Sequence, residues 1–123
     1  MYNKTIGKIG EDIAIRFLKK KGYKILYRNW RCKLGEVDIV AQEKDFLVFA
    51  EIKTRRSLSF GPGFSSVNYT KQHTLIKLGQ VFLKRYGLTN RPCRIDVVSI
   101  NLNENNKPAD IKLIKDAFWQ NEW

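Results

Sequence analysis

Two stretches of the chain space their apolar residues at the intervals of three and four that an amphipathic helix requires. The first predicts a helix over residues 5–21, ended by Gly22, because glycine readily takes the left-handed conformation found after helix ends. The second predicts a helix over residues 70–86, with Thr70 as its N-cap and Gly87 after its last turn. The apolar stripes are formed by Ile6, Ile9, Ile13 and Phe17 in the first helix and by Leu75, Leu78, Phe82 and Tyr86 in the second.

Runs rich in β-branched and aromatic residues predict five strands around these helices. They cover residues 23–30, 36–42, 46–54, 93–102 and 111–114. The second and third runs flank Lys44-Asp45 and are expected to form a β-hairpin. The second helix lies between the third and fourth runs, which predicts a right-handed crossover and parallel pairing. The order is αβββαββ, so we expect an α/β fold in which helices flank a mixed sheet.

Length and composition fit one domain over residues 1–123, since apolar residues make up 43% of the 123 positions. Lys and Arg number 23 against 12 Asp and Glu, and the net charge of +11 favours a polyanionic partner, nucleic acid before an anionic membrane surface. No apolar run is long enough to span a membrane, and the first residues lack a signal peptide's apolar stretch, so we expect a cytoplasmic protein without a membrane partner. Cys32 and Cys93 lie far apart without zinc-site spacing.

The charges are unevenly distributed along the chain. Residues 1–35 contain ten Lys or Arg and two Asp or Glu, whereas residues 36–56 contain five acidic and four basic residues. With Lys44-Asp45 at the hairpin turn, Asp38 faces Glu51 and Glu36 faces Lys53, all on one face of the two strands. The other face of the hairpin is expected to be apolar core and carries Val37, Ile39, Ala41, Val48, Ala50 and Ile52.

Two carboxylates that face each other on a sheet destabilise it unless a cation lies between them. Mg²⁺ binds one or two carboxylates and keeps other positions for water and phosphate oxygens, so Asp38 and Glu51 form a candidate metal site. Lys53 lies beside them, where it would contact the attacked phosphate or help to deprotonate water. These groups are the ones that phosphodiester hydrolysis requires. The alternative is a solvated strand face on which Lys53 bridges the acidic residues.

A series of motifs in this order resembles the YraN family, small and largely uncharacterised bacterial proteins grouped by fold with the PD-(D/E)XK nuclease superfamily. The resemblance covers residues 6–118. The motifs are Gly10-Glu11-Asp12 with Ala14, Lys21-Gly22-Tyr23, Asn29-Trp30-Arg31, Gly35-Glu36-Val37-Asp38, Glu51-Ile52-Lys53-Thr54-Arg55 and Lys71-Gln72.

The resemblance implies a restriction-endonuclease-like αβββαβ core and a Mg²⁺ or Mn²⁺ cofactor. Asp38 matches the superfamily's metal-binding Asp, and Glu51 and Lys53 match its D/E-x-K pair. Val37 stands where the superfamily name has Pro, a position that varies in these enzymes. Glu11 matches a helix-1 carboxylate of the junction-resolvase-like branch, which makes it a third candidate metal ligand. Its alternative role is to complement the helix dipole as a first-turn carboxylate.

Further candidates surround this site. Gln72 lies in the first turn of the second helix, where it either orients a phosphate or water or is an ordinary solvated glutamine. Asp96, inside an apolar strand, is expected to be structural and paired with Arg94 or Arg16. Glu36 is a second group near the metal or, slightly favoured, the ion-pair partner of Lys53. The candidates for phosphate contacts are Arg55, Arg56, Lys71, Lys77 and Lys84.

Three functions are compatible with these features. The first is a metal-dependent endonuclease acting on DNA, with branched or otherwise structured DNA as one substrate class and a Gly/Ser-rich loop over residues 55–69 that admits or covers the strand. The second is a nucleic-acid-binding module without turnover. The third is an assembly partner of a DNA-processing complex, or a homodimer, that uses Trp119 and Trp123 as its contact.

Overall fold

The structure is a computed structural model that describes residues 2–56 and 69–117, with side chains from residue 6 onward. Its elements follow the predicted order αβββαββ. The first part of the chain forms α1 (Tyr2–Lys20), β1 (Lys24–Cys32), β2 (Gly35–Glu43) and β3 (Phe46–Arg55). The second part forms α2 (Tyr69–Arg85), β4 (Cys93–Leu102) and β5 (Pro108–Ile114).

One mixed sheet contains all five described strands in the order β1-β2-β3-β4-β5. Strands β3 and β4 run parallel and are joined through α2, whereas the other neighbours are antiparallel. The predicted hairpin and the predicted parallel crossover are therefore both confirmed. The first helix, the first four strands and α2 form the restriction-endonuclease-like αβββαβ core, and β5 is added at one edge.

The ends of the elements differ from the predictions by a few residues. Gly22 and Gly87 follow the two helices with φ of 96° and 68°, as expected. Helix α2 begins at Tyr69, so Thr70 lies inside the helix and is not its N-cap; its carbonyl accepts a hydrogen bond from the Thr74 hydroxyl. Residues 57–68 of the predicted loop, and Trp119 and Trp123, lie outside the described residues. No helix within the described ranges is long and apolar enough to cross a membrane.

A hydrophobic layer covers each face of the sheet. On one face, Leu18 of α1 packs with residues such as Ile39 and Val98. On the other, Phe82 of α2 packs with residues such as Phe49 and Val37. The expectation that Val37 shares the face of Ile39 is wrong. Val37 pairs with Trp30 across the ladder and is buried beside it under α2.

A buried polar network ties the strands together at the turn end of the β2–β3 hairpin. The Arg94 guanidinium donates to Asp96 Oδ1 at 3.0 Å and to Glu43 Oε1 at 2.7 Å, and the Tyr23 hydroxyl donates to Asp96 Oδ2 at 2.7 Å. Asp96 is fully buried, and hydrogen bonding to a charged partner offsets the cost of burying it. The structural role predicted for Asp96, with Arg94 as its partner, is confirmed.

Helix α1 lies unusually close to β3 at Gly10. A β-carbon at this position would overlap the Thr54 side chain. Glycine therefore lets α1 approach the end of β3, and the next residue on the helix is Glu11.

We predict that Gly10→Ala destabilises the protein by about 1–3 kcal/mol, because the added methyl group pushes α1 away from β3. Gly7→Ala is the matched control on the same helix, since a β-carbon there has no atom within 4 Å. This control should be neutral or more stable by about 0.5–1 kcal/mol. Urea unfolding measures both free energies, and equal stability of the two variants would contradict the close approach.

Candidate functional site

The site lies where β2 and β3 diverge. Their ladder runs from the pair Glu43–Phe46 to the pair Ile39–Ala50, in the register predicted from the turn. Asp38 and Glu51 follow as the next residues in that register. Asp38 Oδ2 accepts a hydrogen bond of 2.8 Å from the backbone N–H of Ile52. The side chain of Asp38 thus takes the place of a backbone acceptor beside β3, and the strands separate beyond this point.

Glu51 is a buried carboxylate with two lysines on one of its oxygens. Its side chain is 5% exposed, and Oε2 lies 3.3 Å from Lys53 Nζ and 3.6 Å from Lys71 Nζ. The other oxygen, Oε1, is buried and accepts no hydrogen bond from any described residue. A buried acceptor without a partner loses its hydration without compensation, so Oε1 is a position at which a cation or a donor would be stabilising.

Burial raises the pKa of Asp38 to about 7, with the neighbouring Glu51 carboxylate as the second cause and the charge of Glu11 as a smaller one. The Ile52 N–H and the Lys71 ammonium oppose this rise without cancelling it. The carboxylates are therefore close enough to repel each other in a partly buried site. A divalent cation would remove that repulsion, so the two residues fit the donor set of a Mg²⁺ or Mn²⁺ site.

Lys53 and Glu36 do not form the ion pair that was slightly favoured. Lys53 lies against Glu51, whereas Glu36 Oε2 accepts a hydrogen bond of 3.1 Å from Arg31 Nε and lies 3.1 Å from Arg31 Nη2. The cause is the divergence of β2 from β3, because Glu36 remains paired with Arg31 of β1 in the sheet register. Lys53 is thereby left beside Glu51, as the D/E-x-K resemblance implies.

Glu11 lies on α1 at the edge of the site. Its Oε1 atom is 3.4 Å from Arg28 Nε and 3.4 Å from Asn29 Nδ2. Within residues 2–56 and 69–117, no group of three or more His, Cys, Asp or Glu side chains is arranged to hold a metal ion. Glu11 as a metal ligand therefore stays a prediction, and the structure brings it within electrostatic reach of Asp38.

The candidate residues on α2 lie at different distances from the site. Lys71 contacts Glu51 directly, and half-buried Gln72 follows it in the first turn of α2. Lys77 and Lys84 are exposed farther along α2, about 9 and 20 Å from Lys71 along the helix axis. The roles predicted for these residues in phosphate binding stay predictions.

The two arginines after Lys53 also differ. Arg55 is the half-buried last residue of β3. Arg56 is exposed, and its guanidinium donates to Asn106 Oδ1 at 2.9 and 3.1 Å, in the connection between β4 and β5. This contact turns Arg56 toward the opposite side of β4 from the hairpin, because β4 lies between β3 and β5.

The sequence analysis missed Arg28 and Asn29 as neighbours of Glu11. Asn29 has a φ of 57°, which interrupts the regular alternation of β1. The available signal was an Asn within an otherwise β-rich run, since Asn is enriched among residues with left-handed φ. The contact of Lys71 with Glu51 was also missed, because it joins α2 to β3 across a long stretch of sequence.

We predict that Asp38→Asn stabilises the metal-free protein above neutral pH. The raised pKa means that the native state keeps a proton which the unfolded state releases above about pH 4. The contribution of Asp38 to stability is thus fully present below pH 4 and is lost as the pH rises through 7.

The gain at pH 8 should be on the order of 1–3 kcal/mol, because a weaker hydrogen bond from Ile52 offsets part of it. Denaturant unfolding in EDTA at several pH values measures the effect. Glu104→Gln, at an exposed position between β4 and β5, is the control. An Asp38→Asn variant that is no more stable than the control at pH 8 would contradict the repulsive burial of the two carboxylates.

Comparison with known proteins identifies the family. The model of the uncharacterised protein family UPF0102 matches residues 10–100, a range that includes Glu11, Asp38, Glu51 and Lys53. A UPF0102 protein of Caldicellulosiruptor saccharolyticus is 48% identical over 118 residues, covering 96% of this chain and all of the relative. A UPF0102 protein of Clostridium botulinum strain 657 is 44% identical over 117 residues, covering 94% of this chain and 95% of the relative. The chain therefore belongs to the uncharacterised protein family UPF0102, the YraN family that its motifs resemble.

Proposed function

We propose that this protein is a metal-dependent endonuclease-like hydrolase of phosphodiester bonds in DNA. The observation that carries the proposal is the pair of half-buried Asp38 and buried Glu51. It combines a carboxyl whose pKa is raised to about 7 with a buried carboxylate oxygen that has no hydrogen-bond partner among the described residues. Carboxylates in such an environment destabilise the folded protein, and perturbed pKa values of this kind are typical of functional sites.

Asp38 and Glu51 would hold the Mg²⁺ or Mn²⁺ ion, with Glu11 as a further candidate ligand. Hard oxygen donors of this kind suit both ions. When bound, the ion would supply a Lewis acid for the phosphate and lower the pKa of a bound water. Asp38 is held in place by the Ile52 N–H, and Glu51 by two lysines, so both carboxylates are oriented before any ligand arrives.

Lys53 would act on the reacting phosphate or its attacking water. Its ammonium lies 3.3 Å from Glu51 Oε2 and its side chain is 28% exposed, so it is anchored at the site and still reachable from solvent. A positive charge there would stabilise the charge that develops on the phosphate oxygens. Gln72, beside Lys71 at the start of α2, would orient a phosphate oxygen or water.

A nucleic acid is the favoured substrate because the protein carries a net charge of +11, with basic side chains at Arg55, Arg56, Lys71, Lys77 and Lys84. The preference for DNA follows from the resemblance to the PD-(D/E)XK nuclease superfamily. Branched or otherwise structured DNA is the finer proposal, and it follows from the resemblance of Glu11 to the helix-1 carboxylate of junction resolvases.

A second candidate function is binding of nucleic acid without turnover. The observation that favours it is the pair of ammonium groups on Glu51 Oε2, which neutralises this carboxylate without a metal ion. In that case the acidic residues are structural, and the protein would serve as a binding module or an assembly partner of a DNA-processing complex.

We expect nicking of supercoiled plasmid and cleavage of a four-way DNA junction with Mg²⁺ or Mn²⁺ and none in EDTA. Asp38→Asn should abolish the activity, and Lys53→Ala should lower it by about a hundredfold or more. Glu104→Gln serves as the control and should cleave like the wild type. Gel assays measure the rates, and thermal unfolding checks that each variant is folded. Cleavage that persists in both site variants would place the activity elsewhere.

We also expect isothermal titration to detect Mn²⁺ binding by the wild type and by Glu104→Gln but not by Asp38→Asn, because that change removes one of the two carboxylate ligands. Binding by the wild type together with an absence of cleavage would separate metal binding from catalysis. No Mn²⁺ binding by the folded wild-type protein would favour the second candidate function.

A further inference from the structure

A polar cleft of about 380 Å³ lies between α1 and the β1–β2 edge of the sheet. Its volume is in the range of small-ligand sites. We name it the α1–β1 cleft, and the charged and polar side chains that line it are Lys8, Glu11, Arg28, Asn29, Arg31 and Glu36. None of the residues that line it is aromatic, so the cleft offers no ring on which a base would stack.

An irregularity of β1 builds one wall of the cleft. In a regular strand, consecutive side chains point to opposite faces of the sheet. Asn29 has a φ of 57°, and both it and the preceding Arg28 reach Glu11 Oε1 at 3.4 Å. The next residue, Trp30, is buried on the opposite face under α2. The backbone of β1 thus adopts a costly conformation that brings two neighbouring side chains to the cleft.

The charges of the cleft favour an anion. Three cationic side chains face two carboxylates, and Arg28 is also bound to Asp12 at 2.8 Å behind the wall. Lys8 is exposed, and Arg31 has 76% of its side chain exposed. Its Nε atom donates to Glu36 Oε2 and its Nη2 atom lies 3.1 Å from the same oxygen, although a guanidinium fork matches two acceptor oxygens. A phosphate would offer it that second oxygen.

The cleft lies near the candidate catalytic site. Glu11 lines the cleft and its charge also acts on Asp38, while Glu36 lies two residues before Asp38 on β2. The open surface of α1 contributes as well, because a side chain added at Gly7 would meet no atom within 4 Å. A strand whose phosphodiester reaches Asp38 and Glu51 therefore passes next to this cleft.

We propose that the α1–β1 cleft binds a backbone phosphate of the nucleic-acid strand, adjacent to the phosphodiester at Asp38 and Glu51, through Arg31 and Lys8. Arg28 and Asn29 shape the wall and hold Glu11 away from the bound phosphate. Recognition at this position is independent of base sequence, because phosphate contacts fix the path of a strand without identifying its bases. The inference rests on the proposed function for the position of the neighbouring phosphodiester.

Binding in EDTA tests the cleft separately from catalysis. The probe is a fluorescein-labelled DNA hairpin with a short stem, which limits the number of binding registers. Arg31→Ala and Lys8→Ala should each make the plot of the logarithm of the association constant against the logarithm of the salt concentration less steep. The slope should change by about 0.7–0.9 in each variant, since each removes one phosphate contact. Lys20→Ala removes an exposed lysine about 18 Å from Lys8 along α1 and should change the slope less. Glu36→Gln should tighten binding, because Arg31 loses its competing carboxylate.

A scan of single methylphosphonate substitutions along the hairpin, each of which removes one phosphate charge, locates the contact. The wild type and Lys20→Ala should lose affinity at the cleft phosphate, whereas Arg31→Ala should lose less at that position, where only Lys8 remains, and should match the wild type at others. The same scan pattern in Arg31→Ala and the wild type would overturn the inference, as would equal slopes for Arg31→Ala and Lys20→Ala or no binding by the wild type. If the pattern holds but the protein never cleaves DNA, the cleft stands and the hydrolase proposal fails. If the protein cleaves DNA but the scan pattern is absent, the hydrolase proposal stands and the inference about the cleft fails.

Discussion

The mutual repulsion of Asp38 and Glu51 in a site shielded from water is the interaction on which the rest of this structure depends. Glu51 is almost fully buried, and Asp38 is deep enough that its pKa rises to about 7. Isolated buried carboxylates are too costly to persist, so every polar contact at the site can be understood as partial compensation. The Ile52 N–H donates a hydrogen bond to Asp38, and the ammonium groups of Lys53 and Lys71 form ion pairs with one oxygen of Glu51. The other oxygen of Glu51 has no hydrogen-bond partner among the described residues.

Contacts elsewhere in the sheet offset the destabilising repulsion between the two carboxylates. At the turn end of the hairpin, Arg94, Asp96, Tyr23 and Glu43 form a satisfied buried network. Hydrophobic layers under α1 and α2 hold the middle of the sheet. The strands diverge only at the open end of β2 and β3, where polar groups replace the ladder. The stabilising contacts and the proposed functional site thus lie at opposite ends of the same two strands.

Basic side chains surround the two carboxylates of the site. Lys53 and Lys71 approach it from β3 and α2, and the α1–β1 cleft adds cationic groups on the other side. A polyanion attracted by the net charge of +11 would meet a surface that is basic around a small acidic centre. Only the phosphate next to Asp38 and Glu51 would be repelled by these carboxylates, so the acidic centre suits a phosphate that arrives together with a cation.

Local pattern alone determined the order of the elements, the hairpin register and the parallel crossover, because helix and strand periodicities and the turn residues are encoded by near neighbours. The same register brought Asp38 and Glu51 together, and the motifs singled out Lys53 as their companion. Only the tertiary structure decided that β2 and β3 diverge beyond Ile39 and that Glu36 therefore bonds to Arg31. It also decided that Lys71 reaches Glu51 and that Asn29 redirects β1, since these contacts depend on how distant segments pack rather than on the spacing of residues along the chain.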